Sequence, residues 1–175
     1  MIMSRIPNKH GGGAATNANG LLFEQTTSLN SALDANGYKV SDDGKVYNSK
    51  GLFLGYSKSK YSFRKFLEEC GVDLSVNSDI LLPDDAFINS KNNTVYIIEK
   101  KFQSGSGSVS EKIQTCEYKK IQYKKLVSQI GYQVEYIYIL SDFFDNPKFA
   151  DVLHFIESKG CHYYFNELPL RFLHI

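Results

Sequence analysis

Two apolar runs, Ile80–Ile88 and Thr94–Phe102, flank the segment Asn89-Ser90-Lys91-Asn92-Asn93. Short runs rich in Ile, Val, Phe and Tyr on either side of an Asn- and Ser-rich break fold as an antiparallel hairpin. Side chains alternate along each strand, so Glu99 and Lys101 project from one face. Cross-strand partners sum to a constant, so the turn fixes every pairing. A turn centred between Lys91 and Asn92 sets Asp84 opposite Glu99, and a turn one residue longer sets Asp85 there. Opposed residues lie about 5 Å apart, near enough for two carboxylates to share one divalent cation. Carboxylates and a lysine on strands this apolar are costly to desolvate unless a metal or partner compensates. Oxygen donors with no His or Cys beside them favour Mg2+, or Mn2+, over Zn2+.

The flanking segments extend the hairpin into an α/β fold. Residues 4–19, rich in Gly, Asn and Ala, read as a loop or arm. Leu22, Leu29 and Leu33 recur at helical spacing between Asn19 and Ala35, and Asn36-Gly37 stops that helix. Residues 38–56 read as small strands with tight turns, followed by a short helix from Tyr61 to Cys70. After the hairpin, QSGSGSVS forms a loop, and Ser108 or Ser110 caps a helix running to about Ile130. Val134–Leu140 is a dense strand, Asn146-Pro147 opens another helix, and Cys161–Phe165 is a last strand. The expectation is a single α/β domain with a mixed central β-sheet flanked by helices. Within it, 1–18 form an arm, 38–70 a small strand and helix insertion, and 79–165 the hairpin and sheet core.

Composition narrows the function classes. The 175 residues are 42% apolar and 14% aromatic, enough for a packed core and too many for a disordered chain. Lys plus Arg number 20 against 19 Asp plus Glu, which excludes a histone-like polycation and an acidic tail. The cations are nevertheless gathered: Lys50–Lys65 carries five and no acid, and Glu99–Lys125 carries seven against three acids. Such a chain can present one positive face to a polyanion. No apolar run approaches the roughly 20 residues of a membrane span, and no signal-peptide core follows the first charges, so a soluble, cytoplasmic protein without a membrane partner is expected. Cys70, Cys116 and Cys161 are an odd, widely spaced set that reads as small apolar residues. The four histidines lack metal-ligand spacing, and His154 and His162 read as packing residues.

Pro83-Asp84 followed by Glu99-Lys100-Lys101 resembles the PD-(D/E)XK nuclease superfamily, and within it the type II restriction endonucleases. Residues 19–165 follow that superfamily's αβββαβ core order. The resemblance implies a sequence-specific, Mg2+-dependent endonuclease that cuts double-stranded DNA to 5′-phosphate and 3′-hydroxyl ends. It implies that Asp84 (or Asp85) and Glu99 hold the metal and that Lys101 orients the attacking water. It also implies a glutamate on the first helix, reaching the metal directly or through water. Glu24 has that place, though opposite the leucine stripe it suits a cleft or solvent equally. Cutting both strands of a palindrome implies a homodimer, and the family pairs with a cognate DNA methyltransferase. A structure- or damage-selective nuclease of the same fold, or a catalytically inactive DNA-binding module, are the alternatives.

Several residues suit contact with DNA. Lys9 and His10 precede three glycines that permit close approach to a backbone; no Gly-Lys-Ser/Thr follows, which excludes a P-loop. Lys58, Lys60 and Arg64 sit among hydroxyls and aromatics. Gln103 follows the second strand. On the helix after it, Gln114, Tyr118 and Gln122 share a polar stripe with Lys125 and Gln129, a face equally suited to plain solvation.

Overall fold

The computed structural model describes residues 20, 23, 27–104 and 108–175. Helix α1 spans Leu29–Ala35, followed by strands β1 (Lys39–Val40), β2 (Lys45–Tyr47) and β3 (Phe53–Lys58) and helix α2 (Lys60–Glu69). The hairpin comprises β4 (Asp85–Asn89) and β5 (Thr94–Lys101). A short helix α3 (Val109–Lys112) leads through a 3-10 turn into α4 (Cys116–Val127). Strand β6 (Gln133–Leu140), helix α5 (Ala150–Ser158) and strand β7 (His162–Phe165) complete the order, with a 3-10 turn at Leu170–Leu173.

The seven strands form one sheet in chain order. Pairing is antiparallel from β1 to β5 and parallel for β5–β6 and β6–β7. Connection length explains the change. A tight turn returns β5 against β4, whereas helical crossovers lead into β6 and β7. The architecture is thus the expected α/β domain with a mixed sheet flanked by helices.

Both faces of the sheet are covered. On one, α2, α4 and α5 bring Phe63, Leu67, Tyr123, Leu126 and Ile156 against Val95, Ile97, Tyr136 and Tyr138. On the other, α1 and residues 168–175 cover Phe87, Tyr96, Ile98 and Ile137. Alternate residues of β5 therefore enter different cores, which is why that strand reads as a nearly unbroken apolar run.

The boundaries differ from the sequence reading in three places. The helix expected from Asn19 to Ala35 is interrupted at Ser28 (φ −58°, ψ 130°), and α1 begins at Leu29, whose amide donates to Asp85 Oδ2 at 3.1 Å. The first hairpin strand starts at Asp85 rather than Ile80. Pro83 has no N–H for a ladder, and its carbonyl instead accepts from the Lys60 amide at 2.8 Å. The helix expected to run unbroken to Ile130 is divided by the 3-10 turn Ile113–Thr115 and ends in another, Ser128–Ile130. His154 and Cys70 are exposed, not packed; Cys116 and Cys161 are buried as expected. No helix among the described residues is long and apolar enough to cross a membrane.

Gly55 lets the β3 backbone approach β4 closely. Its φ is 154°, and a Cβ there would lie 1.9 Å from the Ile88 carbonyl oxygen. Backbone cannot yield as a flexible side chain does. Gly55→Ala is expected to cost about 3 kcal/mol or more in urea unfolding; a loss below about 1 kcal/mol would show that β3 can slide off β4 freely.

Candidate active site

The turn chemistry sets the register. Asn89 Oδ1 accepts from the amides of Lys91 (2.8 Å) and Asn92 (3.2 Å), and Asn93 takes the left-handed conformation at φ 52°. Asp85 is then paired with Ile98 and Asn89 with Thr94. One further step along this register sets Asp84 beside Glu99, the shorter-turn alternative.

Asp84, Glu99 and Lys101 converge. Asp84 Oδ2 accepts from the Lys100 amide at 2.8 Å, which holds the carboxylate against β5. Lys101 Nζ lies 3.0 Å from Glu99 Oε2 and 3.1 Å from the Lys100 carbonyl oxygen. It is 3.8 Å from Asp84 Oδ2. The ammonium therefore sits among three oxygens contributed by three residues. Glu99 is nearly buried, its side chain 7% exposed, whereas those of Asp84 and Lys101 are about one-fifth exposed (21% and 20%). The group is therefore partly accessible to solvent.

Asp85 does not join them. It points to the opposite face of the hairpin, where its Oδ2 lies 2.7 Å from Lys100 Nζ and accepts from the Leu29 amide. Burial pushes this carboxyl above the usual carboxylate range, against the opposing pull of Lys100. Of the two aspartates left open by the sequence, Asp84 is the one beside Glu99.

A residue not anticipated from sequence completes the cluster. Lys119, in the first turns of α4, places its Nζ 3.1 Å from the same Glu99 Oε2. The signal for it was a lysine spaced three residues after Cys116 and four before Tyr123, both buried. Below the cluster, the buried hydroxyls of Tyr123, Tyr136 and Tyr138 have no hydrogen-bond partner among the described residues. Burial, reinforced by the Glu99 charge, pushes all three phenols up, so they remain neutral.

The cluster lies at one end of the sheet. It is the carboxyl end of the parallel strands β5, β6 and β7, where open α/β sheets carry their sites. Helix α2 starts there: Lys60 adopts φ 44° and its amide is tied to Pro83, next to Asp84. Lys60, Gln114 and Tyr118 are exposed. Lys58 Nζ is held by the Asp43 carbonyl at 2.7 Å, and Arg64 pairs with Glu68 at 2.9 Å. Gln103 and Gln122 are corrections: both are buried, at 6% and 8% exposure. The Gln103 backbone exchanges hydrogen bonds with Ser141 Oγ. The Gln122 turn is covered by the 73–77 loop, whose Asn77 donates to the Gln122 carbonyl at 3.0 Å. Gln129 ties the same loop through Asp73. The polar stripe of α4 is thus partly an internal contact. Lys9, His10 and Glu24 lie outside the described residues.

Chemically, the cluster offers hard oxygen donors from Asp84, Glu99 and the Lys100 carbonyl, which already surround one cation, the Lys101 ammonium. This set suits a hard divalent ion that takes few protein ligands and fills its remaining positions with water and phosphate, as Mg2+ does. Among the described residues no three His, Cys, Asp or Glu side chains converge, so a closed protein cage is not what these residues build. A cleft of about 640 Å³ lies elsewhere, between α1 and residues 166–171, and contains none of these groups. No protein-family model matches the chain, and no curated protein matches it.

Proposed function

We propose that this chain is a Mg2+-dependent endonuclease of double-stranded DNA, of the PD-(D/E)XK kind, acting as a small type II restriction enzyme. The observation that carries the reading is the three-oxygen cradle of Asp84, Glu99 and the Lys100 carbonyl around the Lys101 ammonium. Asp84 and Glu99 would hold the ion, with Mn2+ as a substitute; when bound, it neutralises phosphate charge and acidifies a water. Lys101, anchored on the strand between the two carboxylates, donates to the attacking water and offsets charge developing on phosphorus. As water adds to phosphorus the P–O3′ bond breaks, one water proton passes to solvent and the leaving O3′ takes one up, so the products would be a 5′-phosphate and a 3′-hydroxyl. Lys60, Gln114 and Tyr118 are exposed and available to the duplex. Two strands cut at a palindrome call for a homodimer, with a cognate methyltransferase protecting the host site.

The test is incubation of purified protein with unmethylated phage DNA in Mg2+ and in EDTA. Discrete fragments in Mg2+ alone are expected. A smear would remove sequence specificity, cleavage confined to branched DNA would replace the restriction reading with a structure-selective one, and intact DNA in both Mg2+ and Mn2+ would overturn the nuclease reading.

A further inference from the structure

We infer that Lys119 is a second phosphate-binding ammonium of this site, contacting a non-bridging oxygen of the strand being cut; the inference rests on the nuclease reading above. Three observations carry it. First, Lys119 shares a single oxygen, Glu99 Oε2, with Lys101. Two ammoniums therefore converge on one carboxylate oxygen, and Lys101 is shared with Asp84 besides. Any cation held by Glu99 competes with Lys119 for this oxygen and frees the ammonium for another anion.

Second, among the charged residues of α4 it is Lys119 that contacts the cluster. Lys120 pairs with Glu135 at 3.4 Å and donates to the Gly160 carbonyl. Glu117 pairs with Lys159 at 3.1 Å, and Lys124 and Lys125 lie exposed on the outer face. Lys119 is the lysine of α4 turned into the cluster, its side chain 25% exposed and so still within reach of an incoming ligand.

Third, the charges match. Asp84 and Glu99 against Lys101 and Lys119 sum to zero, and a divalent ion brings the site to a charge of plus two. A phosphodiester carries one negative charge, and addition of a hydroxide-equivalent oxygen gives the five-coordinate phosphorus two. Without Lys119 the site falls one positive charge short at that point, in a pocket where Glu99 is nearly buried and screening is weak.

The wild type, Lys119→Met and Lys119→Arg are compared in single-turnover cleavage of phage DNA with Mg2+. Mn2+ binding without DNA is followed by electron paramagnetic resonance, and DNA binding by its salt dependence in Ca2+. Lys119→Met is expected to slow cleavage about 100-fold and Lys119→Arg less than about tenfold. Mn2+ affinity should hold or tighten, since a competing ammonium is gone, and the log–log salt slope of binding should fall by about 0.9. Cleavage by Lys119→Met within about threefold of wild type would overturn this inference and leave the nuclease standing. A loss of Mn2+ affinity matching the loss of rate would make Lys119 a positioning residue for Glu99 instead. A wild-type protein that cuts nothing would remove both readings.

Discussion

Glu99→Gln is expected to abolish Mg2+-dependent cleavage, with a loss of about 1,000-fold or more under single-turnover conditions. The amide keeps the shape of the side chain but removes the charge that two lysines and a divalent ion would share. Glu99 lies 3.0 Å from Lys101 Nζ and 3.1 Å from Lys119 Nζ. Both ammoniums are partly exposed, so water can take over their solvation and the fold should persist, read as an unchanged circular dichroism spectrum. Lys101→Ala should give a loss of similar order while preserving Mn2+ binding, because Lys101 donates rather than ligates. Undiminished cutting by Glu99→Gln would remove Glu99 from the reaction, and with it the metal role of this hairpin.

The largest stability effect is expected on the other face of the same hairpin. Lys100 Nζ and Asp85 Oδ2 are 2.7 Å apart, with side chains 6% and 14% exposed. Asp85→Ala leaves the Lys100 ammonium buried without that counter-ion and the Leu29 amide without its acceptor, and should cost about 3–5 kcal/mol in urea unfolding. Asp85→Leu combined with Lys100→Met removes both charges and should recover most of that loss, because burying an ion pair gains little over burying apolar groups of similar size. Equal losses in the single and double variants would mean that the pair is not coupled.

This pair also fixes which way the cluster residues face. Asp85 and Lys100 are each adjacent in sequence to a member of the cluster. Anchoring Asp85 to the Leu29 amide and Lys100 to Asp85 on one face holds Asp84, Glu99 and Lys101 on the other. A slip of one residue would exchange the two sets.

The amino-acid sequence by itself determined the hairpin, its Asn-rich turn, the convergence of Glu99 and Lys101, and the order of helices and strands around a mixed sheet. These follow from local rules: a period of two, turn chemistry at Asn89–Asn93, and helix spacing. The choice between Asp84 and Asp85 needed the register, a matter of one residue in the turn. The break at Ser28 was not legible, because it depends on Asp85, distant in sequence, accepting from the Leu29 amide. Gln103 and Gln122 looked like surface amides, since nothing local announces that Ser141 and the 73–77 loop pack over their backbone. Lys119 was hidden for the same reason. Its spacing among Cys116 and Tyr123 marks a helix face, but only the docking of α4 on the sheet brings that face to Glu99. Periodicity says which residues share a face, and tertiary packing alone decides what each face meets.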